Sequence, residues 1–277
     1  MSGYAAPALF ALFAWWFSTG AIIWLDGLPR VTFRWTMAGA TALAVAGFWL
    51  LWMSAGGTEA HDAYIAFCGA LAVWAWLEAS LYLGFVTGLR VERCAHDCRG
   101  WRHFGHALTA NIWHELAIVA LFAAVAWISW DAPNRTGLFT FLILWWMHES
   151  ARLNVFLGVR NLNEHFLPEH LEFLKGFMRK ADMNLLFPVS VTVSTVVCTL
   201  TAMAAVGAET DFERTSMMFL TTIMALAIIE HWFLILPLPF EALWNWSLGS
   251  RERAATPPAS AGRIAPTTKI KQPRPAA

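Results

Sequence analysis

Charge is what this chain of 277 residues has least of: Asp, Glu, Lys and Arg make up 14% of it, against 58% apolar residues. Soluble domains carry about a quarter charged residues, so the deficit excludes an ordinary soluble fold. Net charge is absent too, 19 basic side chains cancelling 19 acidic ones, which removes any general electrostatic case for nucleic-acid binding. Tyrosine is rare, three residues beside 17 Trp and 20 Phe, and that excess of tryptophan suits helix ends lying at lipid headgroup level. The four cysteines, Cys68, Cys94, Cys98 and Cys198, form no secreted disulfide framework. No basic region precedes the first apolar stretch, which also runs too long for a cleaved signal, so this segment is expected to stay in the mature protein.

What the chain does have is long apolar runs. A bilayer core about 30 Å thick needs roughly 20 apolar residues in a helix. Seven stretches meet this requirement, at about 6–25, 35–54, 63–88, 107–129, 138–158, 185–207 and 215–236. Turn and charge signals separate them: Asp26-Gly27-Leu28-Pro29, Gly56-Gly57, Asp131-Ala132-Pro133-Asn134 and Gly207-Ala208-Glu209. The expected fold is an all-α, integral membrane bundle of about seven transmembrane helices over residues 1–248.

Basic residues orient it. Arg30 and Arg34 follow span 1; Arg90, Arg93, Arg99 and Arg102 follow span 3; Arg160, Lys175, Arg179 and Lys180 follow span 5. After span 7 come Arg251, Arg253, Arg263, Lys269, Lys271 and Arg274, whereas the opposite loops hold only Arg135 and Arg214. The positive-inside rule then puts the N-terminus outside and the C-terminus in the cytoplasm. Within the third inner loop, residues 168–180 read as a short helix opened by Pro168. Glu169 and Glu172 open it, Arg179 and Lys180 close it, and Leu171, Leu174 and Met178 fall on one face, widened by Phe173 and Phe177. It is expected to lie on the membrane surface. From 249 to 277 the tail is rich in Ala, Pro, Thr and basic residues without periodicity, and is expected to be disordered.

Ionisable groups inside spans are costly and ask for a reason. Glu78 falls in span 3, His114 and Glu115 in span 4, His148, Glu149 and Arg152 in span 5, and Glu230 and His231 in span 7. Helix rise puts them in one band roughly 8–15 Å from the cytoplasmic side. Carboxylate with imidazole suits iron, manganese or zinc, and helix bundles hold such centres in their interiors. Two details weigh against a di-iron site: adjacent residues point about 100° apart, so His114 and Glu115 cannot both face one centre, and no span carries Glu-x-x-His. A neutral imidazole can also ligate a magnesium tetrapyrrole, with His148 and His114 the best placed amid Trp and aliphatic residues. The plainest alternative is an internal polar network, Glu149 pairing with Arg152, Asn111 supporting Glu115 and His231 bonding across helices.

The loop after span 3 offers five soft ligands, Cys94, His96, Cys98, His103 and His106. Their Cys-x3-Cys and His-x2-His spacing resembles a zinc site loosely but fits no standard pattern, and incidental residues of a basic loop are the plainer reading. In Glu164-His165-Phe166-Leu167-Pro168-Glu169-His170, Pro168 interrupts any helix that would pair the two histidines.

The block from Ala151 to Lys175 (ARLNVFLGVRNLNEHFLPEHLEFLK), together with Ile112-Trp113-His114-Glu115-Leu116, is similar to the photosynthetic complex assembly protein 2 family (PuhE) of purple phototrophic bacteria. The resemblance rests most on Leu153, Asn154, Phe156, Leu157, Gly158, Asn161, Leu162, Leu167, Pro168, His170 and Leu171, and extends to about residue 248. It implies a multi-pass protein of the bacterial cytoplasmic or intracytoplasmic membrane. It also implies a role in assembling the reaction centre and light-harvesting antenna, or in adjusting bacteriochlorophyll supply. Expected partners are the lipid bilayer, reaction-centre or light-harvesting subunits and other assembly factors. The family carries no established reaction, so no catalytic residue follows. The alternative to a non-enzymatic factor is a membrane metalloenzyme acting on a tetrapyrrole or quinone, with a transition metal in place of bound bacteriochlorophyll. A carrier is disfavoured, since neither a repeat nor a broken-helix pair is evident in the sequence.

Overall fold

In lipid every backbone polar group must find a partner within the protein, and a helix achieves this within one segment. The computed structural model describes residues 2–94, 98–162 and 164–255, and the apolar runs form helices there as that constraint requires. The long helices are α1 (Ser2–Asp26), α2 (Phe33–Ser54), α3 (Ala60–Tyr82), α4 (Gly100–Ser129), α5 (Thr136–Leu157), α6 (Leu186–Val206) and α7 (Asp211–Phe233), followed by a short α8 (Asn245–Ala255). Six of the seven long helices are apolar enough to cross a membrane; α5 is as long but interrupted by His148, Glu149 and Arg152. Among the described residues there is no strand, only an isolated bridge between Val159 and Lys180.

α3 is the most buried span and α7 the next. Around them Phe67 and Phe219 stack with centroids 4.2 Å apart and planes 7° from parallel, while Tyr64 meets Phe219 edge-on at 4.8 Å. Small residues let α2 press against α3: a Cβ on Gly47 would lie 2.7 Å from the Gly69 carbonyl, and one on Gly69 would lie 2.8 Å from that of Gly47. Such close approach is how helices associate where lipid removes the hydrophobic drive.

The end of the bundle near residues 55–62 and 130–136 is tied by one side chain. Asn134 Nδ2 donates to the Ser54 and Asp62 carbonyls at 3.1 and 3.0 Å, and its Oδ1 accepts from the Thr136 N–H. Thr136 and Ser216 join α5 to α7 through their hydroxyls, 2.7 Å apart. Thr210 caps α7, accepting from the Glu213 N–H while Glu213 Oε2 accepts from its own N–H.

The opposite end, which carries the basic loops, departs from expectation in three places. α3 stops at Tyr82, not near 88, and residues 83–90 fold back along α4. There the Trp113 and His114 N–H groups donate to the Thr87 carbonyl, while the Thr109 carbonyl accepts from Leu89 N–H. Gly88 is wedged into that turn: a Cβ would lie 2.3 Å from the Thr109 oxygen. Second, the predicted surface helix at 168–180 is a 3-10 helix, Glu169–Phe177, capped by Pro168. Its apolar face turns into the protein, with Leu171 and Phe177 buried, because the bundle leaves a cavity open beneath it. Third, α8 carries helix through 249 to Ala255; its Trp246 packs on Trp16 and Phe17 of α1, and the turn before it is tied there by Trp16 Nε1 donating to the Leu243 carbonyl and Trp244 Nε1 to that of Trp16. The rest of the predicted tail, 256–277, lies outside the described residues.

Candidate functional site

Most of the ionisable band predicted from sequence converges on one cavity of about 590 Å³ between α1, α3, α4, α5 and α7. Glu78, Glu115, His148, Glu149, Arg152 and Glu230 line it, among Trp15, Trp74, Leu71, Ile143, Leu144 and Met147. Its basic end is closed by the loop after α5, through Leu162, Leu167, Leu171, Leu174 and Phe177.

Two polar sub-clusters divide the site. In the first, His148 Nδ1 lies 3.3 Å from Glu78 Oε1, and the His114 ring lies 5.6 Å from that of His148. One ligand atom from each of Glu78, His114 and His148 falls within 4.8 Å of the others. Both nitrogens of the fully buried His114 and Nε2 of His148 have no hydrogen-bond partner in the protein. Leaving a buried polar group unsatisfied costs about 1–3 kcal/mol, so a cluster of them marks a place held for something else. In the second sub-cluster Arg152 pairs with Glu115 and reaches Glu149 at 3.6 Å. His114 and Glu115 thus fall in different sub-clusters, as their angular separation required.

The remaining predicted residues fall outside these two sub-clusters. Glu230 accepts a 2.9 Å hydrogen bond from Trp15 Nε1 at the α1 wall. His231 stands apart from the cavity with both nitrogens engaged, one with Ser150 Oγ and one with the Ala227 carbonyl, each at 2.9 Å. Asn111 donates to the Ala107 carbonyl, not to Glu115.

The block resembling a family signature builds the closure. Asn154 Nδ2 donates to the Ser150 carbonyl at 2.8 Å and to Ser190 Oγ at 3.2 Å. Asn161 Nδ2 donates to the Phe233 carbonyl, tying the loop to the end of α7. Gly158 ends α5 at φ +125°, where a Cβ would lie 2.8 Å from that of Ala181. His170 Nε2 reaches the Tyr82 carbonyl at 2.9 Å, tying the loop to the end of α3. Leu153, Phe156, Leu162, Leu167 and Leu171 face the cavity, while Leu157 is an exposed residue of the last α5 turn.

Of the loop ligands, Cys94, Cys98 and His106 come together, with both sulfurs near His106 Nδ1 at 3.0 and 3.3 Å. Burial, then the neighbouring Cys98, pushes the Cys94 thiol up from its ordinary pKa against the pull of Arg90 and Arg102. His103 is not part of this cluster; its ring stacks on Phe156 at 5.3 Å and meets Phe177 at 5.5 Å. His96 lies outside the described residues.

Sequence reading missed Trp15 and Gly88. Trp15 was one tryptophan among 17, with nothing to separate it from a lipid-facing one. Gly88 followed an apolar run without a charge to end it, and only a glycine inside a predicted span hinted at close backbone approach.

No solved structure matches this chain. A protein of Rhodobacter capsulatus described as an uncharacterized 30.4 kDa protein in the puhA 5' region is 37% identical over 252 residues, covering 90% of this chain and 92% of the relative. The model of the DUF3623 family, described as a protein of unknown function, matches residues 1–255, and the chain belongs to that family.

Proposed function

We propose that this protein is a membrane-embedded assembly factor for bacterial photosynthetic complexes that holds a tetrapyrrole pigment in the central cavity. The observation that carries the reading is His148. Its Nε2 is buried without a partner at the wall of a cavity of about 590 Å³ lined with tryptophan and aliphatic side chains, and Glu78 Oε1 lies 3.3 Å from its Nδ1. That leaves one nitrogen free for a metal and sets a carboxylate beside the other, where a small closure to hydrogen-bond geometry would orient the ring as in a metal-ligating imidazole. The volume lies within the range of about 300–1,000 Å³ usual for small-molecule sites. The relative from the puhA 5' region and the resemblance of residues 151–175 to the PuhE family support the photosynthetic context. Bound bacteriochlorophyll would be the pigment, and reaction-centre or light-harvesting subunits would receive it. The bias of Lys and Arg orients the basic end toward the cytoplasm, in the inner or intracytoplasmic membrane.

The test is a phototrophic host carrying His148→Ala in place of the wild-type gene. The variant is expected to accumulate normally while reaction-centre or antenna absorbance falls. Normal absorbance with normal accumulation sinks the reading.

A second reading is favoured by His114, whose two unpartnered nitrogens the pigment does not use. Glu78, His114 and His148 form a 2-His-1-carboxylate set, the type that binds iron(II) with positions left open. The chain would then be a metalloenzyme acting on a lipid-soluble substrate in the same cavity. Glu78→Gln separates the two: it weakens pigment binding by about 10–100-fold as an orienting group, but removes a direct ligand from a metal centre.

A further inference from the structure

We infer that Cys94, Cys98 and His106 bind a zinc ion that pins the loop after α3 to the first turns of α4. Two sulfurs approach one nitrogen, at 3.0 and 3.3 Å from His106 Nδ1. A ring nitrogen offers one lone pair or one proton, so it serves only one thiol at a time. A cation placed between the three uses all of them at once. The atoms are mutually within 4.8 Å, close enough to share an ion with Zn–S near 2.3 Å and Zn–N near 2.0 Å after small side-chain shifts. Thiolate and imidazole ligands select zinc over the hard divalent ions. Three protein ligands leave a fourth position for water.

The chain around the cluster fits a structural clamp. Residues 87–90 pair with α4, Cys94 and Cys98 follow them in the chain, and His106 sits in the second turn of α4. Gly88 of that segment is wedged against Thr109 and Ala110, and Thr87 accepts from the His114 N–H. Fixing residues 94 and 98 to His106 therefore holds the backbone that sets His114 beside His148, about two turns deeper along α4.

The experiment uses the full chain in detergent, washed with a mild chelator and measured for zinc, then exchanged with cobalt(II). The wild type is expected to keep about one zinc per chain, and the cobalt form to develop a thiolate-to-metal charge-transfer band. Cys94→Ser with Cys98→Ser should lose both, while His114→Ala with His148→Ala should retain both, which separates this site from the cavity. Should the cysteine variant not fold, thiol alkylation of the wild type decides: the two cysteines should be protected until a strong chelator is added. Protection lifted by a reductant and not by a chelator means a disulfide and overturns the proposal, as does a wild type without zinc or a cobalt form without the band.

Discussion

The two ends of this bundle are built from similar helices and treat their polar groups in opposite ways. Around Asn134 every donor and acceptor of that side chain is used, Thr136 and Ser216 satisfy each other, and Phe67 stacks on Phe219 below. At the basic end Glu78, His114, His148 and Glu149 each leave at least one buried polar atom without a hydrogen bond, around an open volume. A membrane protein that satisfies one end so fully has no general inability to satisfy the other. The difference separates groups that hold the fold from groups reserved for a ligand, and variants at the two ends should respond accordingly.

The largest loss should come from the packed end. Phe219→Ala removes a fully buried ring from the stack and should cost about 3–5 kcal/mol in denaturation of the detergent-solubilised protein. Arg152→Leu comes next, because it leaves Glu115 and Glu149 without their cation. Removing one partner of a fully buried pair costs about 3–5 kcal/mol, and the partial exposure of Arg152 should bring this to about 2 kcal/mol, with Glu115→Leu in the same chain recovering part of it. Asn134→Ala removes the side-chain tie from the start of α5 to the Ser54 and Asp62 carbonyls and should cost about 1–3 kcal/mol. The two histidines make the sharpest contrast. His231→Ala breaks bonds at both ring nitrogens and should lower stability by about 1–2 kcal/mol, whereas His148→Ala should shift it by under about 1 kcal/mol while removing function. If His148→Ala instead destabilises as much as Asn134→Ala, its imidazole belongs to the fold and the contrast between the ends fails.

Much of the bundle could be read from the sequence because a span needs only length and apolarity. The starts of α5, α6 and α7 fell within a few residues of expectation, and so did the ends of α1 and α2. The end of α3 did not, since residues 83–88 are apolar enough to continue a helix and leave it only to bond with α4. The same tertiary pairing hid the break: Thr87, Gly88 and Leu89 meet Thr109 and Trp113 across a gap in sequence that local periodicity cannot register. The 168–180 segment showed its apolar face correctly, but its target was the cavity mouth and not lipid, because an amphipathic face does not say what covers it. For the site, charge inside a span was sufficient signal for Glu78, His148 and Arg152. It was insufficient to tell them from His231, which lies off the cavity and has its partners at hand in Ser150 and Ala227.

The most direct test of the account is whether the cavity is a pigment site held by His148. The wild-type protein, purified in mild detergent from a phototrophic host and washed with chelator, should retain magnesium together with near-infrared absorbance, and His148→Ala should lose both while eluting as the same folded species. A wild type with neither magnesium nor pigment, or a His148→Ala protein that keeps both, would contradict it.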